Sequence, residues 1–289
     1  MYEIASQCRA FLTQEACNQI YSFLLSQKCE DGGFRGRGQK SDLYYTAFAT
    51  ASFMALGKTL EDNSVLGYLE KFTEEKLDFI HLCSLLRCYD LLGFFSYPKI
   101  SEEKRQKIFS FIEKYRSQDG GYHHESPGSI YASLYGCFLA YQAYHFSRKA
   151  LPQISSLASS IERLKLQDGS YTNTTTTSAA LVLSKAMGKA PCPETISSLL
   201  MHRHPSGGFL AAKGSNIPDL LSTCVALYAL RVSEYPFQKI RSSSLEFIES
   251  HWEETGGFLG TLLDPVADCE YTFYALLGLG SLSDSTTKF

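Results

Sequence analysis

The sequence predicts an all-α protein: six helix-hairpin repeats closed into a ring, an α/α toroid (α6/α6 barrel), spanning residues 1–289 as a single domain. Three observations carry this. A Gly-Gly or Gly-Ser turn recurs at Gly32-Gly33, Gly120-Gly121, Gly169-Ser170, Gly207-Gly208 and Gly256-Gly257. An amphipathic segment leads into these turns, and an aromatic follows each of them: Phe34, Tyr122, Tyr171, Phe209 or Phe258. After a polar loop comes a second segment that is apolar nearly all round, the mark of a buried helix. Self-similarity at a spacing of a few tens of residues makes each unit one supersecondary element that buries its apolar face against its neighbours.

The units follow in order. "CEDGGFRGRGQKSDLYYTAFATASFMALG" opens the series, with its second helix anchored at Asp42. The step from Gly32 to Gly120 is 88 residues, which reads as two units of about 44. "EEKLDFIHLCSLLRCYDLLG" is the weaker second unit, anchored at Asp78. The third has "EEKRQKIFSFIEKY" leading into "SQDGGYHHESPGSIYASLYGCFLAY", anchored at Ser129. "LQDGSYTNTTTTSAALVLSKAMG" starts its helix at Asn173 after a loop of crowded β-branched residues. "HPSGGFLAAKGSNIPDLLSTCVALYAL" starts at Asp219, and "EETGGFLGTLLDPVADCEYTFYALLGL", led in by "SSSLEFIESHW", starts at Asp268. Each anchor is a preferred N-cap, whose side-chain oxygen satisfies an orphan helix N–H. Four residues on stand Thr46, Leu82, Ser133, Thr177, Thr223 and Thr272, mostly small hydroxyls. Six buried helices inside six amphipathic ones form a double ring, and closure removes the need for the polar end repeats of open solenoids.

Composition narrows the function classes. Apolar content of 44 % and charged content of 20 % describe an ordinary globule. A net charge of −3 argues against a nucleic-acid surface, which needs a basic excess. No run approaches the roughly 18 apolar residues of a membrane span, and "MYEIASQCRAFLTQEACNQI" lacks a signal-peptide pattern. Nine cysteines with no CxxC pair suit a reducing compartment, so a cytoplasmic protein is expected.

The phrase "EETGGF…DPVADCEYTFYALLGLGSL" resembles the last repeat of protein prenyltransferase β subunits, and the "QDGGY/QDGSY" turns resemble the wider squalene–terpene cyclase superfamily. The resemblance covers nearly the whole chain. It implies an apolar central cavity for an isoprenoid, chemistry at the mouth where the inner helices begin, and a helical-repeat protein as partner. It also implies a zinc held by an Asp, a Cys two residues on and a His in the last repeat. Those positions fall on Asp219, Leu221 and Tyr271, so one donor of three remains and no metal cofactor is expected. Cys224 and Cys269 are near in sequence but at other helical angles.

Positions that bind diphosphate in the family fall on Tyr131 and Asn173, while Lys213 keeps a basic residue six before Asp219. Arg35, Arg37 and Lys40 lie in the equivalent loop of the first repeat, which ring closure brings beside the last. The terpene-cyclase motif D-x-D-D-T is reduced to "DLLST", leaving Asp219, with Asp268 and Glu270 as a substitute carboxylate pair. The expected catalytic set is therefore Asp219, Asp268 and Glu270; the expected ligand contacts are Lys213, Arg35, Arg37, Lys40, Tyr131, Asn173 and Tyr271. Asp78, His81 and Cys83 form a further candidate cluster, against the simpler reading of a core histidine beside a cap. The pairs His123-His124 and His202-His204 read as loop histidines. Tyr44, Tyr45, Tyr131, Tyr135, Tyr271 and Tyr274 are the expected aromatic lining. The functional expectation is a prenyltransferase-like protein that binds a farnesyl- or geranylgeranyl-type diphosphate and transfers or rearranges it without zinc. Alternatives are a non-catalytic toroid that binds lipid or protein, and an atypical terpene cyclase.

Overall fold

A computed structural model describes residues 1–60, 62–95 and 97–284. After a short N-terminal helix α1 (Tyr2–Ser6), six outer–inner pairs follow in chain order. They are α2 (Gln14–Ser26) with α3 (Leu43–Leu56), α4 (Ser64–Glu70) with α5 (Phe79–Phe94), and α6 (Glu102–Ile112) with α7 (Leu134–Phe146). The remaining pairs are α8 (Ile154–Arg163) with α9 (Thr174–Ala186), α10 (Pro193–Leu200) with α11 (Leu220–Val232), and α12 (Arg241–Glu249) with α13 (Cys269–Ser281). Each inner helix packs on the next, and α13 packs back on α3, closing the ring. Two-stranded ribbons, Phe34–Arg35 with Ser41–Asp42 and Phe209–Leu210 with Pro218–Asp219, carry the loops of the first and fifth repeats.

One hydrogen-bond unit builds most repeats. The N-cap carboxylate or amide accepts backbone N–H groups of the inner helix, as Asp42 does from Tyr44, Asp219 from Ser222 and Asp268 from Tyr271. The hydroxyl four residues later donates back to the cap carbonyl and accepts the N–H of the aromatic behind the glycine turn. Thr46 thus joins Asp42 to Phe34, and Thr177, Thr223 and Thr272 do the same for Tyr171, Phe209 and Phe258. The aromatics Phe34, Tyr122, Phe209 and Phe258 are buried by this docking.

The third repeat corrects the expected register. Its cap is Ser133, not Ser129, and Cys137 takes the place of the threonine, its Sγ accepting from Tyr122 N–H at 3.4 Å. Ser133, four past the expected anchor Ser129, is thus the cap itself, one helical turn further on. The loop after Gly120 is longer than in the first repeat, and cysteine at the key position hid the pattern.

The first glycine of each turn abuts the outer helix of the following repeat. A Cβ on Gly207 would lie 2.0 Å from the Ser243 carbonyl oxygen on α12. At Gly256, in the last repeat, the neighbour is Gln19 of α2, in the first. The same contact that stacks the repeats also closes the ring. Hydroxyls on the outer helices seal it: Thr195 donates to the Gly169 carbonyl and Ser244 to that of Gly207, both at 2.9 Å.

Helix α1 packs against α13 and α3 at the end away from the caps, with Ile4 resting on Gly280 and Cys8 near the Ala55 carbonyl. It places Met1 and Tyr2 inside the barrel, where Tyr2 stacks on Phe146 at 4.3 Å.

Candidate functional site

The caps fix which side chains face the axis. Two residues past each cap stand Tyr44, Ile80, Tyr135, Thr175, Leu221 and Glu270, at the mouth. One turn further down on the same faces come Phe48, Ser84, Leu139, Ala179, Val225 and Tyr274, the i, i+4 stripe of a helix. The cavity divides into chambers of about 190, 40 and 160 Å³ that meet at Met1 and Phe138. The largest, nearest the mouth, is walled by Phe138, Val182, Leu221, Val225, Tyr228 and Tyr274, and its one carboxyl is Glu270.

Glu270 is held by the Tyr44 hydroxyl, which donates to its Oε1 at 2.6 Å. Burial raises the Glu270 carboxyl to about 7, opposed by the Tyr44 hydrogen bond and reinforced by the nearby Asp268 charge. The contact joins the first inner helix to the last, so it exists only because the ring is closed. Burial also pushes the Tyr44, Tyr135 and Tyr274 phenols upward, which keeps all three neutral.

The other expected carboxylates serve the backbone. Asp219 and Asp268 cap α11 and α13, and burial raises both. Arg37 donates to Asp268 at 3.2 Å and also to Asp264, while its guanidinium lies 5.4 Å over the Tyr271 ring. Ring closure does bring the first-repeat loop beside the last repeat, as expected, but Arg37 arrives already paired.

The remaining expected contacts lie away from the cavity. Arg35 and Lys40 border an open groove at the end of α2, and Lys213 is exposed on the loop before α11. Asn173 is committed to a capping box with Thr176. Tyr131, 64 % exposed, sits in the loop ahead of α7 and does not line the cavity; Tyr135 takes that place, one turn on. Tyr45 and Tyr271 also turn away from the axis, each three past its cap, onto Gly36 and Gly260.

Zinc does not fit these positions. Leu221 is an apolar wall residue, Tyr271 lies beneath Arg37, and Asp219 is used as a cap. Among the described residues no group of three potential metal donors comes together. Cys224 and Cys269 are buried, and burial raises both thiols, away from the thiolate a metal needs.

At the mouth edge between α3 and α5, His81 lies between Asp78, at 2.8 Å from Nδ1, and Asp42, at 3.1 Å from Nε2. The Asp42 hydrogen bond, with help from Asp78 and against burial, raises the imidazole to about 9. Its contribution to stability is fully present below pH 6.5 and is lost as pH rises through about 9. His81→Gln should therefore cost about 1–2 kcal/mol at pH 6, after allowance for solvent screening, and almost nothing at pH 9.5. Urea unfolding at both pH values checks this; a gap that does not change with pH would contradict it.

Sequence reasoning missed Arg87. It sits eight residues, about 12 Å, down α5 from Phe79, inside the barrel. A lone arginine in the middle of the apolar run "FIHLCSLLRCYDLLG" was the available signal.

The assembled features define a closed α/α toroid with an apolar axial cavity and a protonatable carboxyl at its mouth. The sequence matches the prenyltransferase alpha-alpha toroid domain over residues 5–85, 75–182 and 175–288, and the chain belongs to that family. Among solved structures it is similar to the type II terpene cyclase MstE from Scytonema, at 13 % identity over 96 % of this chain and 97 % of that one, with a TM-score of 0.63. A variant of MstE in complex with geranylgeranyl dihydroxybenzoate, its substrate, matches at 12 % identity over 98 % of both chains, with a TM-score of 0.62. A possible member of the GH105 family from Klebsiella pneumoniae subsp. pneumoniae matches almost as well, at 11 % identity over 94 % of this chain and 93 % of that one, with a TM-score of 0.61. These likenesses show the fold, and a fold does not fix a function, so function rests on the site. A search of curated protein sequences finds no match. Among the described residues no helix is long and apolar enough to cross a membrane.

Proposed function

We propose that the protein binds an isoprenoid-type apolar chain in the axial cavity, without the diphosphate that the family resemblance implies. The carrying observation is the cavity itself: apolar and aromatic walls, with Glu270 as the one carboxyl of the main chamber. The geranylgeranyl substrate of MstE supports an isoprenoid as the occupant. Against a diphosphate stands the charge at the mouth. Of the cations on that face, Arg37 and His81 are each held between two carboxylates. The main chamber, about 190 Å³, is below the roughly 300 Å³ at which pockets for drug-sized ligands begin. A long chain enters by displacing Met1, whose unbranched side chain separates the chambers.

Glu270 is the group assigned to proton exchange with the bound molecule. A carboxyl at about 7 holds comparable acid and base populations near neutrality, which suits transfer to and from oxygen. It is too weak an acid to protonate an unactivated alkene, so this reading favours binding or mild acid–base chemistry over initiation of a terpene cyclisation.

Calorimetric titration tests the proposal with farnesol, geranylgeraniol and farnesyl diphosphate. Micromolar binding of an alcohol is expected, with the diphosphate no tighter. Ala179→Phe, which adds a ring to the chamber wall, should weaken alcohol binding at least tenfold. Binding of the diphosphate alone, or full affinity in Ala179→Phe, would refute it.

A second reading rests on a specific surface. Ile130, Tyr131, Ile217, Leu262, Leu263 and Val266 are exposed on the loops that lead into α7, α11 and α13, all at the mouth face. Clustered exposed apolar side chains mark interaction sites, which favours a non-catalytic toroid engaged by a partner at that face. No heat with any of the three lipids would favour this reading over the first.

A further inference from the structure

Arg87 is a cation inside an aromatic chamber. Its guanidinium lies 4.7 Å over the Phe48 ring, 5.2 Å over Phe273 and 5.3 Å over Tyr2. Nε donates to the Tyr2 hydroxyl, while Nη2 is buried with no hydrogen-bond partner. The nearby carboxylates are committed elsewhere: Asp90 is held at 2.6 Å by both Arg105 and Ser147, and Glu270 by Tyr44. Three ring faces attract a guanidinium, but beyond the Tyr2 hydroxyl on Nε they leave Nη2 without an acceptor. A buried N–H without an acceptor is unfavourable, and Nη2 is one, so the site is incomplete as it stands.

We infer that Arg87 is the anchor for the carboxylate of an apolar acid, inserted head-first from the main chamber. This rests on the proposed use of the axial cavity and adds the ligand's head group. The chamber beside Arg87 holds about 40 Å³, against roughly 10–15 Å³ needed for a water, enough for one carboxylate group. Its walls share Met1, Tyr44, Tyr135, Phe138 and Tyr274 with the main chamber, so the tail continues into apolar space. A planar fork of donors matches a carboxylate. The Arg87 guanidinium balances one negative charge, whereas a diphosphate would bring several against Asp90 and Glu270. The charge order along the axis is thus a carboxyl at the mouth and a cation within, opposite to a site that holds an anion at the mouth.

The test is titration of the whole chain with decanoate and decanol at pH 7.5 in chloride-free buffer. Decanoate should bind at least tenfold more tightly than decanol. Arg87→Met should keep decanol binding and lose the preference, and Arg87→Lys should keep part of it. The unliganded Arg87→Met protein should also melt no lower than wild type, because a buried N–H without an acceptor has been removed. Equal affinity for acid and alcohol in the wild type would overturn the role of Arg87 while leaving the cavity reading intact. Failure of both to bind would overturn both. If Arg87→Met does not fold, or melts well below wild type, Arg87 is a structural pillar and the inference fails, unless Arg87→Lys folds and shows the reduced preference for decanoate.

Discussion

Replacing Gly256 with alanine should cost about 3 kcal/mol and lower the thermal midpoint by roughly 5 °C. Two effects add. The backbone at Gly256 has φ of +93°, in the left-handed region, where an L side chain costs about 1–2 kcal/mol. The new Cβ would also lie 2.3 Å from the Gln19 carbonyl oxygen, so α2 must move away from the last repeat at a further cost of about 1–3 kcal/mol. Gly214 separates the two effects. Its φ is +91° and a Cβ there meets nothing within 4 Å, so Gly214→Ala carries the backbone strain alone. Thermal melts of both variants should show the Gly256 change as clearly the larger. Equal losses would mean that the seam between first and last repeats is looser than the structure indicates.

Glu270→Gln should stabilise the protein above neutral pH by up to about 3 kcal/mol. The folded protein raises this carboxyl from 4.5 to about 7, so between those values the folded state holds a proton that the unfolded state has released. Stability from this group therefore falls as pH rises through that window, and the full penalty applies above pH 7. The amide keeps an acceptor for the Tyr44 hydroxyl but has no charge to bury. Urea unfolding of wild type and variant should give a small gap at pH 5 that widens to its full size by pH 8. A gap independent of pH would show that Glu270 is not held in a water-poor site and would remove it as a candidate for proton exchange.

Much of the architecture was legible because it is local. Glycine turns, cap residues and the threonine four places on are each defined within one repeat, and six such units have few ways to bury their inner helices. The third repeat shows the limit. Its loop is longer and its threonine is Cys137, so neither spacing nor residue type marked Ser133 as the cap. That one-turn error carried Tyr131 into the predicted lining beside Tyr135, and only Tyr135 belongs there. Asp219 and Asp268 were identified as caps or catalytic groups, and the structure uses both oxygen-rich side chains to hold helix starts. Residue type alone does not separate those roles, because a carboxylate accepts backbone N–H groups as readily as it exchanges a proton.

By itself the sequence determined the repeat, the inner and outer helices and the family, since periodicity and capping chemistry act over a few residues. Only the tertiary structure decided the site. Tyr44 meets Glu270 across 226 residues of chain, and Arg37 meets Asp268 across 231, because the last repeat docks on the first. Arg87 gains its three rings from α1, α3 and α13, elements far apart in sequence. Such contacts depend on the angle at which each helix presents its side chains to the axis and on where the ring closes, and burial then sets the charge of the groups it encloses.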